Sequence, residues 1–298
     1  MPEGDTIFRA ARTLEKVLGG AIVTEARSTV PAVSSARLSG RTVVRVEARG
    51  KNLLIHFDDG RVLHTHMRMT GSWHVYRPGE RWQRPERQAR VVLATARFVA
   101  VCFNAPVVAI LSAAELARHP SLSRLGPDPL SPEFDAAQAC RRLRELGDVP
   151  LGEALLRQSA LAGVGNVYKS EALFLCGTNP FRLVRDLPEP ELDLLVHKAR
   201  DLLSANVGAG PRTTRPSLTR ERTWVYGRSG RPCRRCGTEI RMRRQGPEAR
   251  STYWCENCQP AGASGAAESK SISEDARTPK PPSAAPGKSP ARARTPRP

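Results

Sequence analysis

Four of the seven cysteines crowd into one stretch as Cys233-x2-Cys236 and Cys255-x2-Cys258, with eighteen residues between the pairs. Two C-x-x-C knuckles at this separation suit one tetrahedral zinc, each pair in a tight turn with a β-hairpin between them. Four thiolates fill the coordination shell and leave no position for a reactive water, so one structural zinc is expected and no organic cofactor. In so small a unit metal binding contributes roughly 10–16 kcal/mol, so the ion in effect folds the segment. Disulfides are the alternative. The start Met-Pro-Glu-Gly-Asp, neither basic nor apolar enough for an export signal, speaks against them and for a cytoplasmic protein. Cys102, Cys140 and Cys176 lie in apolar or helical stretches and read as buried free thiols.

The balance of charge narrows the partners. Lys and Arg number 47 against 29 Asp and Glu, a net charge of +18 over 298 residues. Such an excess suits a polyanion, with nucleic acid the default, and a basic protein without a specific partner is the alternative. No apolar run approaches the roughly 20 residues of a membrane-spanning helix. Residues 222–259 hold nine Arg and three Glu, so the cysteine ribbon itself reads as a phosphate clamp, with protein binding as the alternative.

Along the chain, Ile7, Phe8, Ala11, Leu14 and Leu18 share one helical face over 5–18, with Asp5 and Thr6 as capping residues and Gly19-Gly20 as the stop. Short β-rich runs follow at 42–46, 52–57, 61–66, 71–76, 90–94, 98–103 and 107–111, the pattern of an antiparallel sandwich or barrel. Helical patterns then occupy 135–146, 151–157, 167–176 and 189–206. The expected fold is therefore α+β and multidomain. Its parts are a β-sandwich domain with a flanking helix (1–125), a linker (126–132), a helical domain (133–221), a zinc hairpin (222–259) and a tail (260–298). The tail is rich in Ala, Pro, Ser, Lys and Arg and is expected to be disordered.

The amino terminus offers a reactive group. Removal of an initiator Met before a small residue would leave Pro2 as a secondary amine. An α-amino group titrates near 8 and is about a quarter free base at pH 7.5, against about one part in a thousand for an ordinary Lys. The positive end of the following helix would favour the free base further. Glu3 adds a carboxyl for proton transfer. Taken alone these residues are weak evidence, because Met-Pro-Glu begins many unrelated chains.

Five motifs occur in order: Met1-Pro2-Glu3-Gly4; Arg49-Gly50-Lys51-Asn52-Leu53-Leu54; His66-Met67-Arg68-Met69-Thr70-Gly71-Ser72-Trp73; Gln158-x4-Gly163-Val164-Gly165-Asn166-Val167-Tyr168-Lys169-Ser170-Glu171-Ala172-Leu173; and Val225-Tyr226-Gly227-Arg228-Ser229-Gly230-x2-Cys233. With the cysteine quartet, residues 1–259 resemble the formamidopyrimidine-DNA glycosylase/endonuclease VIII family. The resemblance implies an N-terminal β-sandwich, a helix–two-turn–helix domain and a zinc ribbon, with damaged double-stranded DNA in the cleft between the halves; a monomer is expected. It implies that Pro2 attacks C1′ to form a Schiff base, that Glu3 acts as acid/base, and that Lys51 serves proton transfer and phosphate contact. It gives Arg250 a grip on the lesion phosphate and a part in δ-elimination. Asn166, with nearby backbone N–H groups, would touch phosphate, a helix cap being its alternative. Arg124 matches a DNA-contacting arginine. Met69, flanked by Arg68 and Thr70, is placed to fill the gap left by a flipped base, or else belongs to strand core. His64 and His66 share a strand face and suit packing or phosphate hydrogen bonding.

Departures from the family pattern bear on specificity. Asp5-Thr6 stands where the family often has Pro-Glu. The arginine-phenylalanine insertion of the formamidopyrimidine branch has no counterpart around 103–106. Pro-Glu-Gly resembles the endonuclease VIII branch, and Pro-Glu-Gly-Asp-Thr its actinobacterial form. The expected activity is bifunctional: release of oxidised bases, pyrimidines favoured, then strand nicking. A protein for abasic or nicked DNA with lyase activity but weak glycosylase activity is the alternative. A zinc-ribbon transcription protein would leave Pro2 and Lys51 idle.

Overall fold

The structure is a computed structural model that describes residues 2–34, 36–216 and 221–261; from residue 262 onward the expected disordered tail lies outside the described residues. Helix α1 (Gly4–Leu18) leads into strand β1 (Glu25–Ser28), a single helical turn α2 (Pro31–Ser34), then β2 (Val43–Arg49), β3 (Asn52–Phe57), β4 (Val62–His66), β5 (Ser72–Tyr76), β6 (Ala89–Ala94), β7 (Val99–Phe103) and β8 (Val107–Leu111). Helices α3 (Ala113–Arg118), α4 (Ala136–Arg144), α5 (Leu151–Ala154), α6 (Asn166–Leu175) and α7 (Glu189–Ser204) follow, and a hairpin β9 (Ile240–Gln245)–β10 (Arg250–Cys255) closes the described chain.

The eight early strands form two four-stranded antiparallel sheets, ordered β2-β3-β4-β8 and β1-β6-β7-β5. Leu53, Ile55, Val91, Leu93, Ala100 and Cys102 meet between the sheets, and Ile7, Leu14 and Leu18 of α1 join the same core. Fully burying each such aliphatic contributes about 1.5–3 kcal/mol. The continuous run Leu53-Leu54-Ile55 reflects a strand covered on both faces, since Leu54 turns the other way to pack with Val62 and Leu122. This is the α+β sandwich with a flanking helix that the sequence predicts, followed by a helix–two-turn–helix part and a cysteine hairpin.

Three expectations change. Asp5 and Thr6 do not cap α1: the helix begins at Gly4 with Glu3 at its N-cap and no side-chain cap bond. Asp5 is instead buried and bound by Arg212, whose Nε donates to Oδ2 at 2.9 Å, while Arg212 Nη2 also donates to Thr6 Oγ1 at 2.9 Å. Cys140 and Cys176 are half-buried on helical surfaces, and only Cys102 of the three scattered thiols is buried. Strand β1 and helices α2 and α3 are additions to the expected elements. Among the described residues no helix is long and apolar enough to cross a membrane.

Candidate active site and nucleic-acid interface

The two-turn segment before α6 brings the chain start against the helical part. Gly163 is in the left-handed region (φ 83°), and a side chain on Gly165 would meet the Glu3 carboxyl carbon at 2.4 Å. With glycine at both places, Gly4 N donates to Gly163 O at 2.9 Å and the Glu3 carboxylate reaches the start of α6. There Glu3 Oε1 accepts from Val167 N at 2.9 Å, and Oε2 from Gly165 N at 3.0 Å and Tyr168 N at 3.4 Å. A buried carboxylate at a helix N-terminus is favoured both by these donors and by the positive end of the peptide dipoles. Glu3 is thus a staple between the two halves as well as a group beside Pro2.

A cleft of about 420 Å³ opens in front of this staple, lined among others by Pro2, Lys51, His66, Asn166 and Arg250. Lys51 follows the tight β2–β3 turn at Gly50 (φ 57°), and that turn is pinned from the segment between α3 and α4, where Asp128 Oδ2 accepts from Gly50 N at 2.7 Å. Burial pushes the Lys51 amine down to about 8, against the pull of Glu3 and with the push of Arg250. The His66 imidazole is lowered by burial, then by Lys51 and Arg68, which favours its neutral form. Its Nδ1 accepts from Arg68 N at 3.2 Å, which leaves Nε2 as the donor. His64, by contrast, is buried and hydrogen bonded to Asn52 Oδ1 at 2.9 Å, a packing role.

Asn166 is the first residue of α6 rather than its cap, which is Gly165. Its Oδ1 is buried without a hydrogen-bond partner, and the residue lines the cleft. Arg68 adopts a left-handed backbone (φ 44°), which turns the chain so that Met67 is buried while Met69 is 60% exposed at the cleft. Met69 is therefore not strand core. Arg250 is exposed and gripped by Glu248, an acid that no sequence motif singles out, with Nε to Oε2 at 2.8 Å. Arg124 is exposed between α3 and α4 and is not among the residues lining the cleft.

Two buried charged groups within the α6 motif, neither given a role by the sequence, tie that helix to the rest of the site. Lys169 Nζ donates to Ser251 O at 3.0 Å and Thr252 Oγ1 at 2.8 Å, the two residues after Arg250, and burial lowers its amine to about 7. The Glu171 carboxylate accepts the backbone N–H groups of Trp224, Val225 and Tyr226, each at 2.8 Å. A lysine and a glutamate set among Val167, Tyr168, Ala172, Leu173 and Phe174 are the signal that could have found both.

In the hairpin the Cys236 sulfur lies 3.5 Å from those of Cys255 and Cys258, Cys233 lies 3.8 Å from Cys258, and all four ligand atoms fall within 4.8 Å of one another. Tetrahedral zinc with Zn–S bonds of about 2.3 Å requires sulfur separations of about 3.8 Å, whereas a disulfide needs about 2 Å. The donor set therefore fits a structural zinc held by Cys233, Cys236, Cys255 and Cys258.

Residues 1–106 match the formamidopyrimidine-DNA glycosylase N-terminal domain, 125–217 the formamidopyrimidine-DNA glycosylase H2TH domain, and 230–261 a zinc finger found in FPG and IleRS. The chain is 45% identical over 266 residues to a probable endonuclease 8 2 of Streptomyces coelicolor, covering 88% of this chain and 95% of that protein. It is 39% identical to the DNA-(apurinic or apyrimidinic site) lyase Nei2 of Mycolicibacterium smegmatis, covering 88% of this chain and all of that one. Its fold is similar to that of Lactococcus lactis formamidopyrimidine-DNA glycosylase, solved non-covalently bound to DNA containing an AP site. That likeness has a TM-score of 0.73 at 23% identity, covering 87% of this chain and 99% of the other.

Proposed function

The chain belongs to the formamidopyrimidine-DNA glycosylase/endonuclease VIII family, and on that premise we propose that it excises oxidised bases from double-stranded DNA and nicks the strand through its N-terminal proline. The observation that carries this reading is the meeting of Pro2, Lys51, Asn166 and Arg250, drawn from four distant segments, in one cleft. With Met1 removed, the Pro2 nitrogen lone pair attacks C1′ of the damaged nucleoside, and the nitrogen then gives up its own proton to a neighbouring base. The bond from C1′ to the base breaks, and the base leaves with the electron pair and takes up a proton. The sugar ring opens to an iminium ion on Pro2. Loss of a C2′ proton then expels the 3′ phosphate, and a second elimination expels the 5′ phosphate. Lys51, as free amine, accepts a proton, and Glu3 moves protons at the sugar oxygen. His66 Nε2, Asn166 and Arg250 bind the phosphates that flank the lesion, and Met69 occupies the space vacated by the flipped base.

Pyrimidine lesions are the preferred class. The β7–β8 connection is only 104–106, so no long loop reaches toward a purine from that side. Lyase action on abasic sites with weak base release is the second reading. It is favoured by Asp5, which is committed to Arg212 rather than free beside Pro2, and by the lyase name of the M. smegmatis relative. Borohydride trapping on abasic DNA tests the covalent step, with an adduct expected and its absence overturning the mechanism. A panel of thymine glycol, dihydrouracil, 5-hydroxyuracil and 8-oxoguanine duplexes separates the two readings: release from pyrimidine lesions supports the first, and adducts with abasic DNA alone the second.

A further inference from the structure

A second basic surface lies outside the cleft, on the connection between β5 and β6. Both strands pair antiparallel with β7, Tyr76 opposite Val99 at one end and Ala89 opposite Phe103 at the other. They therefore run parallel, and residues 77–88 must return along the outer face of the sheet as a strap. Its underside is fixed by Trp82, stacked 6.1 Å from Tyr76 and edge-on to Phe103 at 5.8 Å. Arg77, Arg81 and Arg87 are exposed above it and Arg84 is half-buried.

The charges on this strap are left unanswered. Of its two acids, Glu86 pairs with Arg27 of β1 at 3.0 Å, and Glu80 accepts the backbone N–H of Arg77 at 2.9 Å. Among the described residues, none of the four strap guanidinium groups pairs with a carboxylate. The His74 imidazole beneath them is lowered by burial and by Arg84, which disfavours a further cation under the strap. Exposed guanidinium groups without acidic partners suit bidentate binding of phosphate oxygens.

The strap is also continuous with the cleft. Gln88 accepts from Asn104 twice, N to O at 2.9 Å and Nδ2 to Oε1 at 3.0 Å. Asn104 O in turn accepts from Thr70 Oγ1 at 3.0 Å, and Thr70 follows Met69. The end of the strap that bears Arg84 and Arg87 is thus locked to the loop that borders the lesion site. We propose that this strap is a second DNA-contacting surface, on which Arg81, Arg84 and Arg87 hold backbone phosphates of the duplex arm beyond Met69. The proposal rests on the reading that damaged duplex DNA occupies the cleft.

The test compares the full chain with an Arg81→Ala, Arg84→Ala, Arg87→Ala variant on a long duplex bearing a stable abasic analogue. A short duplex ending beside the lesion serves as the second ligand. Each phosphate deprived of its arginine flattens the plot of log K against log salt by about 0.9 in slope, or about 3.5-fold in affinity between 50 and 200 mM salt. A slope flatter by about 0.9 or more on the long duplex, with the short duplex unaffected, is expected. An unchanged slope on the long duplex overturns the proposal, as does an equal change on both. Should the triple variant melt early, Arg87→Gln alone reads the same slope with one phosphate at stake. Borohydride trapping of the wild type on a single abasic strand separates the two ideas: no adduct defeats the cleft reading, whereas a normal adduct with an unchanged slope defeats the strap alone.

Discussion

Replacing Glu3 by Gln is expected to cost stability as well as chemistry, and the size follows from its hydrogen bonds. The carboxylate accepts three backbone N–H groups at the start of α6 while fully buried. Gln keeps one acceptor oxygen and turns an NH2 group toward the remaining donors. At least one hydrogen bond to a charged group disappears, and a buried N–H is left without a partner, together about 2–4 kcal/mol. Removal of the negative charge at the helix N-terminus adds about 0.3–1 kcal/mol. For a protein of this size each kcal/mol lowers Tm by about 2–4 °C, so Glu3→Gln is expected to melt on the order of 10 °C below the wild type. Pro2→Gly, which only lines the cleft, is expected to stay within about 2 °C by the same conversion. Calorimetry on the zinc-loaded proteins makes the comparison, with trapping on abasic DNA read alongside. If Glu3→Gln melts with the wild type, the three N–H bonds contribute nothing net and the staple argument is wrong, whatever happens to turnover.

Cys255→Ser is expected to lose bound zinc and most DNA affinity, read by metal analysis and gel shift; a zinc-replete variant with full binding contradicts the assigned ligand set. Lys51 and Lys169 have amines lowered by burial to about 8 and about 7, against an ordinary value of 10.5. Between those values and 10.5 the unfolded chain binds more protons, so these two groups make stability rise with pH across that window, and below it their buried charges are a constant cost. Lys169→Met is therefore expected to flatten the rise in urea midpoint between about pH 7 and 10 relative to the wild type; parallel curves refute the burial argument. Met69→Ala is expected to weaken binding to an abasic duplex by about 1–3 kcal/mol while leaving single-stranded DNA binding unchanged, since only a duplex has a gap to fill. Equal effects on both substrates would count against a wedge.

What can be read from the sequence divides by the range of the interaction. All seven expected strands occur, because alternation and turns such as Asp58-Asp59-Gly60 are local. The edge strand β1 is hidden because Glu-Ala-Arg-Ser has no apolar alternation, and its residues are exposed or only half-buried. Helix α3 carries a readable signal, the capping box of Ser112 and Glu115, but only six residues follow the cap. Asp5 shows the limit plainly. Its position suggests a local cap, whereas its partner Arg212 lies 207 residues away, and no local pattern encodes that pairing.

The same division explains why resemblance finds the cleft residues without finding what holds them. Pro2 and Lys51 sit in short motifs, but the bonds that aim them cross between the halves of the molecule. Gly4 N reaches Gly163 O, Glu3 reaches α6, and Asp128 reaches Gly50 beside Lys51. Two of these three links use a carboxylate, fully buried in Glu3 and half-buried in Asp128, that accepts backbone N–H from the other half. The bonds that close the two halves on each other are therefore the bonds that position the reactive groups. A substitution that loosens the junction must displace Pro2 or Lys51, so junction variants are expected to lose trapping efficiency before they lose affinity for DNA. Asp128→Ala puts this to the test at a residue outside the cleft: it releases the Gly50 turn, and a variant that traps abasic DNA as fast as the wild type would mean that Lys51 needs no such support.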